Sequence, residues 1–169
     1  LTQINEPATG SHYSCWIERG RIQEMYRHVL VPTDGSALST TAIRNAMAFA
    51  RDAKARVTVL TVMEPFQIIA MDSTQLSETK SEYEAHARQA GDRYLAEAGR
   101  EAQALGVAHA LVQVTHAQPW KAIIDTATEK GCDLIAMASH GRCGATALIL
   151  GSETAKVLTH STIPVLVFR

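Results

Sequence analysis

DLIAMASHGRCGATALILGSETAKVLTHSTIPVLVF, running from Asp133 to Phe168, contains a strand, a glycine loop, a helix and a second strand in that order. Asp133 to Ala138 is a short apolar run with the length of a buried strand. The loop ASHGRCGATALILGS (Ala138 to Ser152) carries Gly141, Gly144 and Gly151, with a serine directly after the last. Ser152 offers an N-cap to the helix ETAKVLTHS, because a serine oxygen can accept from a free first-turn amide. Ile163 to Phe168 is the final strand. Two strands joined through a helix need a crossover connection, which makes them parallel.

The same alternation runs back to the start of the fold. Tyr26 to Pro32 is an apolar strand ended by proline, followed by the turn sequence Thr33-Asp34-Gly35-Ser36. Ser36 is a second N-cap candidate, for a helix from Ala37 to Ala53 with Ile43, Met47 and Ala50 at helical spacing. Arg56 to Val62 is β-branched and extended. Met63 to Thr79 is irregular and long for a compact domain, which makes it a candidate lid. A helix from about Lys80 to Leu105 ends at Gly106, a strand runs from Val107 to His116, and a helix from Pro119 closes at Gly131. The order predicts an α/β fold with a mainly parallel sheet and helices on both faces.

Composition narrows the function classes. The 169 residues are 46% apolar with a formal net charge of -1, enough for one core and no global pull toward nucleic acid or anionic lipid. No apolar run reaches the roughly 18 residues of a membrane-spanning helix, and the polar start lacks a signal peptide's apolar stretch, so the expectation is cytoplasmic. Cys15, Cys132 and Cys143 lie too far apart for a zinc or redox motif. Residues 1–24 read as a tail or upstream extension, leaving 25–169 as the domain.

In an open parallel sheet, ligands bind beyond the C-terminal ends of the strands, where strand order switches. Pro32, Thr33 and Asp34 end the first strand, Val62 and Met63 the second, and Met137 and the glycine loop the fourth. Glycines let backbone amides approach a phosphate, and a helix start favours anions. A plain glycine-rich turn before a capped helix fits the same residues. Asp34 suits either a nucleoside hydrogen bond or a turn cap. No Walker lysine and no Gly-x-Ser-x-Gly elbow is present.

The segments VLVPTDGS, VTVLTV and the C-terminal block resemble the universal stress protein family, across about Met25 to Arg169. In its ATP-binding members the motif is Gly, two residues, Gly, nine residues, then Gly followed by Ser or Thr. Here the register is Ala138, Ser139-His140, Gly141, Arg142 to Leu150, then Gly151-Ser152, so the spacing matches and the first glycine is replaced by alanine. The resemblance implies an open Rossmann-like sheet of five parallel strands in order 3-2-1-4-5. It implies a homodimer paired through the last strand, acting as a stress-response sensor toward an unknown protein partner. It places adenine and ribose on Pro32, Thr33, Asp34 and Val62. It places the phosphates of ATP, with Mg²⁺ as their companion, on Met137, Ala138, Gly141, Arg142, Gly151 and Ser152, with Glu153 and Thr154 close by. A dimer without nucleotide and a slow ATPase are the alternatives; the residues offer no convincing base or metal-carboxylate pair, so no catalytic or metal residue is assigned. Ala138 costs little at negative φ and introduces strain at positive φ.

Overall fold

The computed structural model describes residues 25–66, 73–141 and 150–169, with backbone alone for 73–79. The tail, Arg142, Cys143 and Gly144 lie outside these residues. The elements are β1 (His28–Pro32), α1 (Ala37–Ala53), β2 (Arg56–Met63), α2 (Ser73–Ala104), β3 (His109–Thr115), α3 (Pro119–Glu129), β4 (Leu134–Ala138), α4 (Ser152–His160) and β5 (Val165–Phe168). All strand pairs are parallel and the sheet order is β3-β2-β1-β4-β5. The expected strand order and α/β class are the observed ones.

Period-two alternation divides β1 between two cores. Val29 and Val31 pack with Ile43, Met47, Leu95 and Ala98 under α1 and α2. Leu30, between them, packs with Ile123, Ile135 and Val157 under α3 and α4. Both faces are therefore covered, and the central strands are apolar on both sides. Each fully buried Val or Leu contributes roughly 1.5–3 kcal/mol through burial.

Several boundaries move for local reasons. α2 starts at Ser73, not near Lys80, which shortens the irregular stretch after β2. Residues 73–79 contain neither glycine nor proline, so an existing helix extends through them at little cost. β3 starts at His109 because the Val107 amide turns back to Ala102 O, 2.9 Å, in the C-terminal closure of α2 at Gly106. β5 starts at Val165 because Pro164 has no amide for the ladder. Ser36 caps α1 as expected, its side chain accepting from Ser39 N.

One polar group is buried without full compensation. His28, at the start of β1, shares a 2.7 Å hydrogen bond between Nε2 and Thr58 Oγ1, while Nδ1 has no hydrogen-bond partner among the described residues. Burial, aided by the Arg56 charge, lowers the His28 pKa from its ordinary 6.5. The folded pKa is below the unfolded one, so as pH falls through about 6.5 the unfolded chain takes up a proton that the folded chain refuses. Thermal melts should show stability declining from pH 7 toward pH 5, and the part due to His28 should vanish in His28→Gln.

The turn after β1 yields a second expectation. Gly35 has φ +75, and a Cβ there would run into the Tyr94 ring of α2. Gly35→Ala combines backbone strain with overpacking and should cost about 2 kcal/mol or more in urea unfolding.

Candidate functional site

The C-terminal ends of β1, β2 and β4 open into a cleft of about 1040 Å³. Pro32, Thr33, Asp34, Val62, Met137, Ala138, Gly141, Gly151, Ser152, Glu153 and Thr154 all line it. Of the residues expected to contact nucleotide, Arg142 alone lies outside the described ones. The floor is the switch point where β2 leaves β1 on one side and β4 on the other.

The first wall is the turn after β1. Thr33 is buried and its amide donates to Leu60 O at 2.8 Å, which extends the β1–β2 pairing by one residue. Its Oγ1 lies 3.2 Å from Ser39 Oγ. Asp34 Oδ1 accepts the Ser36 amide at 3.0 Å, so Asp34 does form a turn cap. Its Oδ2 lies where a Cβ on Gly141 would be, 2.5 Å away, so the loops after β1 and β4 meet at these two residues.

The second wall is the return of the glycine loop. The Gly151 amide donates to Ser139 O at 2.8 Å, closing the loop onto the end of β4. A Cβ on Gly151 would lie 2.9 Å from His140 Cα, so glycine is required for this approach. Gly151 is itself the N-cap, without a side-chain bond, and Ser152 is the first helical residue; the expected Ser152 cap is not formed. Ala155 N donates to Gly151 O at 2.9 Å, which leaves the amides of residues 152–154 ahead of the first intrahelical bond. These amides and the helix dipole make this rim attractive to an anion.

Ala138 is resolved by its backbone. It pairs with Phe168 as the last residue of β4, and Lys54 is the one non-glycine with positive φ among the described residues. Alanine at this position is therefore unstrained. Its carbonyl accepts the buried Thr154 hydroxyl at 3.0 Å, so that hydroxyl holds α4 to the strand. Glu153 is also committed to structure: Oε2 accepts Trp120 N at 2.8 Å, at the start of α3, where Gln118 supplies no side-chain cap.

Sequence reasoning missed part of the cleft. Lys156 lines it, one turn into α4, and pairs with Glu153 at 2.8 Å. A cation four residues after Ser152 on a helix led by a glycine loop was the available signal. Trp120, stacked 4.7 Å from the His160 ring, forms another side, with Tyr83 and Tyr94 of α2 opposite. Nothing local linked these aromatics, because only the packing of α2 and α3 brings them to one opening. Among the described residues there is no group of three or more potential metal-ligating side chains, and no helix long and apolar enough to cross a membrane.

Comparison with known proteins agrees with this architecture. The universal stress protein family model matches residues 25–169. Universal stress protein YxiE of Bacillus subtilis is 30% identical over 149 residues, covering 86% of this chain and 100% of that relative. The solved structure of MJ0577, a Methanocaldococcus jannaschii universal stress protein, superposes with a TM-score of 0.72 at 27% identity, over 85% of this chain and 95% of that one. A universal stress protein solved in complex with cAMP has a TM-score of 0.64 at 25% identity, covering 86% and 98% of the two chains. The family model spans the whole described fold, and with it the chain is assigned: it belongs to the universal stress protein family.

Proposed function

We propose that this protein binds an adenine nucleotide, ATP with Mg²⁺ on its phosphates, in the cleft above β1, β2 and β4. It works as a dimeric stress-response sensor in the cytoplasm, passing the state of the cleft to a protein partner. The single observation that carries the reading is the convergence of the glycine-loop rim and the Pro32–Asp34 turn on one cavity of about 1040 Å³. That volume slightly exceeds the usual range of small-ligand sites, which leaves room for base, ribose and phosphates together. The complex of a related protein with cAMP supports the adenine-nucleotide class.

The chemistry assigns two ends. The amides at the start of α4 and the Lys156 ammonium form the anion end. Asp34, Thr33 and Val62 form the nucleoside end, where a carboxylate can accept from ribose hydroxyls. Binding is favoured over phosphoryl transfer because the described residues hold no group of three or more potential metal-ligating side chains and the loop carries no phosphate-binding lysine of the Walker type. The dimer is proposed through β5, a sheet edge whose Val165, Leu166, Val167 and Phe168 are all half-buried in one protomer.

Differential scanning with Mg-ATP tests the reading. Saturation at about 100 times Kd should stabilise the protein by about 2.7 kcal/mol. Gly141→Val, which drives a side chain into Asp34, should remove the ATP-dependent shift. Lys156→Ala should weaken ATP more than adenosine. Ala138→Gly should change affinity little, since Ala138 is already in unstrained extended backbone. An unchanged melting temperature with ATP would leave a nucleotide-free adaptor dimer as the function.

A further inference from the structure

The opposite end of the sheet has its own hollow, of about 380 Å³, lined by Arg27, Arg51, Lys54, Ala55, Arg56, Gly106, Val107 and Ala108. It lies where β1, β2 and β3 begin, so parallel strands separate it from the nucleotide cleft by the length of the sheet. Four of its lining residues are cationic and none is acidic. Arg51 is paired with neighbouring Asp52 at 2.8 Å. Arg27, Lys54 and Arg56 make no ion pair among the described residues. For a chain whose formal net charge is -1, this is a strong local excess.

Two features make the cluster more than a charged surface. Arg27 and Arg56 both border this hollow, where the Arg56 amide donates to Arg27 O at 3.0 Å and β2 begins to pair with β1. Like charges around one hollow repel, and an anion between them would relieve that cost. Lys54 occupies the left-handed C-cap of α1 at φ 56, a position that ordinarily takes glycine or asparagine. A strained non-glycine residue at a binding hollow is a sign of function. The dipole of α1 accounts for cations at its C-terminus, Arg51 and Lys54, and does not account for Arg27 and Arg56.

We propose that this hollow is a second ligand site, which binds a small oligophosphate of two or three linked phosphoryl groups, free or carried on a small molecule. Its volume falls in the small-ligand range of roughly 300–1,000 Å³. Guanidinium forks match phosphate oxygens in pairs, and Lys54 adds a point charge. The cations surround one hollow instead of forming the extended basic stripe used to follow a nucleic-acid backbone.

The test is amide NMR of the full chain titrated with inorganic triphosphate, with a nucleoside triphosphate titrated in parallel. Saturable shifts at Lys54, Arg56 and Gly106–Ala108, persisting in the cleft variant Gly141→Val, are expected for either source. Equal shifts from both would assign a bare oligophosphate, and larger ones from the nucleotide would assign a carried one. Lys54→Gly removes the charge and the backbone strain together. It should leave the melting temperature unchanged or raised while weakening triphosphate about tenfold or more. Arg56→Gln should weaken it similarly. Shifts confined to the start of α4, or equal affinity in Lys54→Gly, would overturn the proposal. So would an RNA oligomer that displaces triphosphate from these amides and binds more tightly.

Discussion

The 2.8 Å hydrogen bond from the Gly151 amide to Ser139 O holds the upper end of this fold together. It returns the chain to the strand it left at Ala138. Once it forms, α4 starts directly above β4, Thr154 reaches the Ala138 carbonyl, and Glu153 reaches the amide of Trp120 at the start of α3. Two helices and a strand are thereby tied at one point, through groups that would otherwise lie buried without partners. The bond needs glycine because any Cβ at this position would press on His140.

This constraint also explains why the cleft is open. Two side chains that might have filled the end of β4 are held elsewhere: Thr154 by the strand and Glu153 by α3. Facing the opening are backbone amides and Lys156 at the rim of α4, Asp34 after β1, and aromatic walls from α2 and α3. Such a surface suits a ligand with an anionic end and a flat apolar end. The lower end of the sheet has a different character, with a cluster of cations, a left-handed lysine and a buried histidine close to Arg56. Parallel strands place all their starts at one edge and all their ends at the other, so a single sheet can hold two chemically distinct sites.

Much of this was legible in the sequence because the signals are local. Apolar runs bounded by Pro32 or by glycine mark strands, Ser36 marks a helix start, and Gly106 marks a helix end with φ +66. Gly141 and Gly151, ten residues apart with a serine after the second, mark the cleft rim in the sequence alone. Where local reading failed, the deciding atoms were distant in sequence. Ser152 has the side chain of a cap, yet Gly151 took the position once its amide bonded back to Ser139. Glu153 lines the cleft beside Ser152, and its bond to the Trp120 amide, 33 residues away, has no signal in the local sequence.

The sequence by itself determined the alternation of strands and helices, the parallel sheet and the glycine loop, since each follows from periodicity, turn chemistry or spacing within a few residues. Only the tertiary structure decided which polar side chains remain available to a ligand. It also decided that Ala138 lies in relaxed extended backbone, and that Lys54 and Arg27, far apart along the chain, border one hollow. Hydrogen-bond partners and like-charge neighbours are set by how strands pair and helices pack, and no short window of sequence contains both members of such a pair.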